Sequence, residues 1–473
     1  MTTFAAGFSV DLLSSSRYCL GMQQFPIPPA IGRFAQQFKN AGFSLYIVGG
    51  AVRDHLLGIE NEDYDFTTDA TPEQVMALFK AVIPTGIEHG TVTVRFEKQS
   101  FEVTTFRSEG SYLDGRHPSA VTFITNLEED LKRRDFTINA FAVDLADATI
   151  IDLHRGREDL KARVIRAIGE PRERFDEDGL RILRACRFAA KLNFSIEKHT
   201  KEAMKECRNN LKNVSSERIR DELFKLLLSD HPKVALDYLR VCEILPIILP
   251  ELSNGDQIAQ GGMHHEDVLS HAISTCQASV PLSSRLEVRL AALLHDVGKS
   301  EVVAEGVERN TFYNHDLVGE KLTRTILRRL KASNDQIQVV SHLVRHHMFN
   351  YQSNWSDSAV RRFLTRVGKE YVGMLFCLRI ADQIAIHGRA DIRLIEELKA
   401  RIQKILDAED ALCIKDLAVN GNDLMNLGIP KGKQIGKTLE YLLETVLDDP
   451  QQNTKEQLLI IAKNYQSLLD FTN

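Results

Sequence analysis

Strand-like sequence in this chain stops early. From about Ser44 to Leu145 apolar and polar residues alternate at period two, with helical stretches between, whereas from roughly Leu160 onward the spacing is that of helices. The chain therefore reads as an α/β or α+β head on a small sheet followed by an all-α remainder. Leu45-Tyr46-Ile47-Val48 ends in Gly49-Gly50. Thr91–Phe96 and Phe101–Phe106 flank a short polar turn and predict a hairpin, with Val121–Ile124 and Ala140–Val143 as further strands. Helix faces are marked by Leu180, Leu183, Cys186 and Ala190, and again by Ile219, Leu223, Leu226 and Leu227.

A length of 473 residues exceeds one ordinary core, since domains run to roughly 100–200 residues each. The expected organisation is an extension over 1–21, a head over 22–155, a helical neck and body over 156–252, a histidine-bearing helical domain over 262–390 and a helical tail over 391–473. Ser253–Gly262, rich in Gly, Asn and Gln, reads as a linker. The first residues carry one acid, Asp11, one base, Arg17, and a serine run, which fits neither a transit peptide nor a secretory signal. They are expected to be a disordered extension, with Met22 opening the folded part.

Hydrophobic content of 43% and charged content of 26% are those of a soluble globular protein. No stretch approaches the ~20 apolar residues a membrane span needs. Net charge of −6 means that any nucleic-acid contact must come from a local basic surface. The 7 cysteines are scattered and never form CxxC, which fits a reducing, cytoplasmic location and argues against a disulfide framework or zinc finger.

The strongest local signal is Gly49-Gly50-Ala51-Val52-Arg53-Asp54, followed by Asp63-Tyr64-Asp65. A diglycine after a strand lets backbone amides approach an anion closely. In an extended strand i and i+2 share a face, so Asp63 and Asp65 would stand side by side, an arrangement that needs a divalent cation. Such oxygen ligands suit Mg²⁺ held by carboxylates and substrate phosphates, as in a two-metal in-line displacement. Glu102, mid-strand in the hairpin, offers a third carboxylate. A lone Asp-x-Asp is usually solvated decoration; its succession to strand and diglycine is less accidental.

Leu45 to Asp65, LYIVGGAVRDHLLGIENEDYD, resembles the active-site signature of the bacterial-type tRNA nucleotidyltransferase and poly(A) polymerase family within the DNA polymerase β superfamily. The likeness continues in Asp114-Gly115-Arg116-His117-Pro118, a flexible-loop element, and in Arg133-Arg134-Asp135-Phe136-Thr137-Ile138-Asn139-Ala140, a ribose- and triphosphate-binding segment. Glu177-Asp178-Gly179-Leu180-Arg181 matches the nucleotide-selecting motif, and Val214–Ile219 the opening of the next helical unit. The resemblance implies a polymerase-β-like head, catalytic Asp63, Asp65 and Glu102 with Mg²⁺ on the two aspartates, and nucleotide contacts from Gly49, Gly50, Arg53, Arg116, Arg133, Arg134, Asp135, Asn139, Asp178, Arg181, Arg184 and Arg187.

Guanidinium pairs suit a triphosphate. Asp178 and Arg181, three apart on a helical segment, would share one face and, as in the family, hydrogen-bond the Watson–Crick edge of the incoming base. Lys205, Arg208, Lys212 and Arg218 lie in the most basic stretch and are candidates for an RNA backbone, although amphipathic helices commonly turn such residues to solvent. The implied activity is template-independent addition or repair of a tRNA 3′ CCA end from CTP and ATP. Poly(A) synthesis and addition of only CC or only A remain open.

The 15 histidines are unevenly placed. His271, the adjacent His295-Asp296 and Asp382 resemble the HD phosphohydrolase superfamily, which implies a divalent transition metal on those residues. His315 with His346 or His347 would complete a second site, and His342 and His346, four apart, would share a helix face. That pattern implies an added phosphoester hydrolysis, a vestigial unit kept as a scaffold, or at the other extreme an HD phosphohydrolase whose head only binds RNA. Nothing in the sequence fixes the oligomeric state.

Overall fold

The computed structural model describes residues 24–109, 121–260, 266–304 and 310–472. The expected extension and the loop with Arg116 lie outside these residues. The chain divides into two compact units after Val214, so the stretch expected to be one neck, 156–252, is shared between them.

The first unit opens with α1 (Pro29–Asn40), begun by a proline whose missing N–H costs nothing at a first turn. It continues through β1 (Leu45–Val48), α2 (Gly50–Leu56), β2 (Asp65–Thr68), α3 (Pro72–Leu78), β3 (Val82–Gly86), β4 (Thr91–Phe96) and β5 (Gln99–Thr105). A small hairpin of β6 (Arg107–Glu109) and β7 (Val121–Phe123), then α4 (Leu127–Lys132), β8 (Phe141–Asp144) and β9 (Ile150–Asp152) complete the head. The main sheet is mixed, in the order β3-β4-β5-β2-β1-β8-β9. Helices α5 (Gly156–Ala162), α6 (Pro171–Glu177), α7 (Leu180–Leu192) and α8 (Lys198–Glu206) follow.

Alternation along β2 and β5 decides which face is active. Phe66, Phe101 and Val103 are buried, whereas their neighbours Asp65 and Glu102 are exposed. Beneath the sheet Phe34 of α1 stands 4.8 to 5.4 Å, ring centre to ring centre, from Phe38, Phe66, Phe79, Phe96 and Phe101. Each such side chain is worth about 1.5–3 kcal/mol of burial. This aromatic floor anchors β2 and β5 and leaves their acidic positions to the other face.

The second unit is helical: α9 (Ser216–Leu227), α10 (Pro232–Val241), α11 (Leu245–Ile248), α12 (Pro250–Ser253), α13 (Val268–Ala278), α14 (Leu286–Leu294), α15 (Lys299–Val302), α16 (His315–Arg329), α17 (Asn334–His346), α18 (Asp357–Val367), α19 (Val372–His387), α20 (Arg393–Asp407), α21 (Gly421–Asn426), α22 (Lys433–Asp448) and α23 (Lys455–Thr472). The stretch after Ser253 is not a free linker. Val268 donates to Ile258 O at 3.1 Å and Leu269 to Gly255 O at 3.2 Å, which ties it to the start of α13. A core of Leu424, Leu442, Val446, Leu458 and Ala462 holds the C-terminal helices together. No helix among the described residues is long and apolar enough to cross a membrane.

Candidate active site and metal cluster

After β1 the chain turns on Gly49 at φ +75°, a region L side chains rarely adopt, and enters α2. A Cβ on Gly49 would stand 3.4 Å from Arg134 Nη1 and 4.0 Å from Asp65 Oδ2. Turn, carboxylate and guanidinium thus border one small volume. β2 pairs antiparallel with β1, Val48 opposite Asp65, and parallel with β5, Asp65 opposite Glu102.

Asp63 precedes the strand instead of lying in it, so the ladder does not hold it as the i, i+2 spacing predicts; its N–H is held by Asn61 Oδ1 at 2.8 Å. Its charge still reaches Asp65. Although Asp65 reaches solvent, the partial burial of its carboxyl, then Asp63 and Glu102, push it above its ordinary value, and among the described residues Arg134 opposes them. Three acids with too little positive charge thus border the Gly49 turn.

The arginines are held by a residue the sequence reading passed over. Asp130 of α4 is fully buried; its Oδ1 accepts from Arg133 Nε at 2.9 Å and Nη2 at 2.7 Å, and its Oδ2 lies 3.6 Å from Arg134 Nη2. Its spacing of three and four from the arginines is the signal that pointed to it. Among the described residues Arg134 Nε is buried without a partner, and burial lowers the ease with which this guanidinium carries its charge. An anion would satisfy it.

Asp135 accepts from Arg184 Nε at 2.7 Å and Asn139 Nδ2 at 3.1 Å. Burial opposes its ionisation, yet Arg184, Asn139 and Arg181 hold the carboxyl below its ordinary value. Arg53, also buried, donates to Asn139 Oδ1 at 2.6 Å, and Arg187 lies over the Phe188 ring at 4.1 Å.

Asp178 and Arg181 do not share a helix face. α6 ends at Glu177, Asp178 is extended at φ −147° and ψ 105°, and its Oδ1 accepts from Leu180 N at 3.0 Å. A short acidic side chain serves the backbone at a helix start better than it serves a helix interior. Arg181 donates to Glu177, to Arg174 O at 3.1 Å and to Arg133 O at 2.9 Å, which among the described residues leaves Nε–H and one Nη2–H open. Arg181 therefore touches the backbone of the segment that carries Arg133 and Arg134. Exposed Lys205 and Lys212 and half-buried Arg208 lie near one another in sequence in the first unit, whereas Arg218 belongs to α9 of the second.

In the second unit five elements converge. His271 comes from α13, His295 and Asp296 from the end of α14, His315 from α16, His347 from just beyond α17, and Asp382 from α19. Gly298 makes this approach possible: a Cβ there would meet His315 O at 2.2 Å and Gly319 N at 2.6 Å. Asp296 Oδ2 lies 3.2 Å from His295 Nε2 and 3.7 Å from His271 Nε2, and its Oδ1 lies 3.4 and 3.6 Å from the Nε2 atoms of His315 and His347. Asp382 Oδ1 is 3.1 Å from His271 Nε2.

His295, His315 and His347 each place Nδ1 on the carbonyl three residues back, at 2.9, 2.8 and 2.7 Å. An Nδ1–H so engaged leaves Nε2 as the ligating atom. The groups His271, His295, Asp296 and Asp296, His315, His347 are each compact enough to hold an ion. Both border a cavity of about 700 Å³ that Lys299 also lines.

His346 is not part of this cluster. It is the last residue of α17, its ring centre 4.5 Å from that of His342, and burial, with His342 and nearby arginines, lowers it to about 4. His347, one residue further, points its Nε2 to Asp296 instead.

Residues 45–166 match a poly(A) polymerase head domain, 193–255 an RNA- and SrmB-binding segment of polymerase A, and 312–462 a tRNA nucleotidyltransferase domain 2. A CCA-adding enzyme of Levilactobacillus brevis is 36% identical over 428 residues, 90% of this chain and 94% of the relative. One of Lactobacillus helveticus is 34% identical over 426 residues, 89% and 94% respectively. The solved Bacillus stearothermophilus CCA-adding enzyme in complex with CTP superposes with a TM-score of 0.73 at 29% identity, covering 95% of this chain and 100% of the other. With head, order of motifs and near-full-length likeness all in agreement, the chain belongs to the CCA-adding enzyme family and is a nucleotidyltransferase.

Proposed function

We propose that the protein completes or repairs the 3′-terminal CCA of tRNA from CTP and ATP in the cytoplasm, and that Mg²⁺ on Asp63 and Asp65, with Glu102 beside them, serves the reaction. One observation carries this: Asp65 stands opposite Glu102 across paired strands, beside the Gly49 turn and an arginine whose buried Nε has no partner among the described residues.

The RNA 3′-oxygen forms a bond to the α-phosphorus, the bond to the β-phosphate oxygen breaks, and pyrophosphate leaves. Magnesium, when bound, stabilises the charge that develops on these oxygens. Arg133 and Arg134, aligned by Asp130, hold the triphosphate. Asp178 and the two remaining donors of Arg181 read the base, so that a mismatch leaves buried polar groups unpaired. The loop with Arg116 serves the change from C to A. Lys205, Arg208, Lys212 and Arg218 contact RNA by shape and phosphate. The relatives named above support CCA addition over poly(A) synthesis or partial addition.

The test offers purified protein three tRNA transcripts, ending before CCA, after C and after CC, with each labelled nucleotide in turn. Incorporation of C, then C, then A is expected. Incorporation of A alone, or tails of unlimited length, would sink the reading.

A second reading concerns the second unit. The three histidines with engaged Nδ1 atoms around Asp296 favour a divalent transition metal on His271, His295, Asp296 and Asp382, with His315 and His347 beside it. A metal there supplies a hydrolytic nucleophile for phosphoesters. Lys299, 2.7 Å from Asp296 and on the cavity wall, offers a charge for the ester.

A further inference from the structure

A continuous hydrogen-bonded chain runs from the turn carrying Asp63 to α7. The Asp63 N–H donates to Asn61 Oδ1 at 2.8 Å, and Asn61 Nδ2 donates to Asp54 Oδ2 at 2.9 Å. The other oxygen of Asp54 accepts from Arg53 Nε at 2.7 Å, and Arg53 Nη1 donates to Asn139 Oδ1 at 2.6 Å. Asn139 Nδ2 donates to Asp135 Oδ1 at 3.1 Å, and Asp135 Oδ2 accepts from Arg184 Nε at 2.7 Å.

Arg53, Asp54, Asp135 and Asn139 are 3%, 2%, 7% and 6% exposed. In such a setting each bond is strengthened and a half-made chain is costly. The rings and cations agree: Arg53 and Arg184 both lie over Phe188 of α7, at 5.2 and 5.5 Å.

Asn61 is the link between this buried chain and the exposed turn. A carboxamide suits the place because one end donates to a carboxylate while the other accepts from a backbone N–H. An aspartate would set a second negative charge against Asp54, and an alanine would release the turn.

We propose that Asn61 is a positioning residue that fixes Asp63 for its cation and couples that cation to the arginine end of α7. The proposal rests on the magnesium reading of Asp63 and Asp65. By linkage, whatever orders Arg184 tightens the cation, and the cation orders Arg184 by the same factor.

The test is Mn²⁺ binding to the full-length protein, followed by electron paramagnetic resonance. The ion that disappears in Asp63→Ala/Asp65→Ala defines the site. Removing a second-layer partner of a metal ligand commonly costs ~10–100-fold in affinity, so Asn61→Ala and Asn61→Asp are expected to weaken this ion by about 10-fold or more. Both variants should stay folded but melt somewhat lower, Asn61→Asp the more so, because buried Asp54 Oδ2 loses a donor and keeps Lys191 Nζ at 3.7 Å.

Arg184→Gln, at the far end, should weaken the same ion, and the Asn61→Ala/Arg184→Gln pair should be less than additive. Unchanged Mn²⁺ affinity in Asn61→Ala, or strict additivity in the pair, overturns the proposal. Absence of any ion at Asp63 and Asp65 in the wild type overturns it together with the magnesium reading. C incorporation by the wild type, assayed separately, tells apart a failure of the function from a failure of the coupling.

Discussion

Replacing Asp65 with alanine should leave a folded protein in which nucleotide addition is about 10³-fold slower or worse, since the charge stabilisation at stake is several kcal/mol. Asp65 faces Glu102 across a parallel pair and Gly49 across the turn, so no neighbouring acid can take its place without moving the sheet. The fold should survive because the floor beneath, Phe34 with Phe66 and Phe101, is untouched.

Stability should respond in the opposite sense to activity. A carboxyl whose folded-state value is raised, as Asp65 is by burial, Asp63 and Glu102, penalises the native state once pH exceeds its unfolded value of about 3.9. In metal-free buffer the alanine variant should therefore melt no lower than wild type at pH 7, and any advantage should vanish near pH 3. Single-turnover incorporation of labelled C, with thermal melts in chelator at both pH values, checks the two halves. Addition at more than a tenth of the wild-type rate would remove Asp65 from the reaction.

Asp296→Ala should be the most destabilising single change in the second unit. Asp296 is 2% exposed and faces four imidazole nitrogens and the Lys299 ammonium at 2.7 Å. Without it, Lys299 keeps the neutral Gln260 Oε1 at 2.6 Å and the Phe312 ring at 5.3 Å but has no carboxylate partner among the described residues. Leaving a buried charge unpaired costs about 3–5 kcal/mol, or on the order of 10 °C in melting for a unit of this size.

The pH window follows from the directions. Burial opposes ionisation of Asp296, but His295 and Lys299 hold its carboxyl well below the ordinary range, and that stabilisation is lost only as pH falls through the lowered value. Burial opposes charging of His295, but Asp296 raises it, and that contribution is lost as pH rises through the raised value. The difference between wild type and variant in chelator should be widest between about pH 4 and 6.5. Added Mn²⁺ should raise the melting temperature of wild type by more than that of the variant, which keeps Asp63 and Asp65. Equal response of both proteins to the ion would dismiss the cluster as a metal site.

The head was legible from sequence because its signals are local. Gly49-Gly50 and the two aspartates carry their meaning in spacing, and Glu102 in strand alternation. What escaped was the second layer. Asp130, Asp54 and Asn61 look like surface polar residues until packing buries the first two and bonds the third.

Helical spacing also misled twice. It joined Asp178 to Arg181 across a break that the Asp178 side chain itself helps to make. It kept His346, which does share a helix face with His342, as a candidate beside His347, although the residue that ends up on Asp296 is the one beyond the helix, turned by its Nδ1 bond to Val344 O at 2.7 Å. Orientation at a helix terminus depends on the cap, which periodicity does not encode.

The hairpin between β4 and β5 turns on Glu97 and Lys98, both at positive φ, 47° and 67°, with Glu97 braced by Arg33 of α1 at 2.6 Å. Inserting or deleting one residue here would rotate every side chain of β5 to the opposite surface. Glu102 would then sink among the phenylalanines and Phe101 would emerge beside Asp65. The length of this bend is thus what keeps Glu102 on the open face of the sheet and Phe101 beneath it.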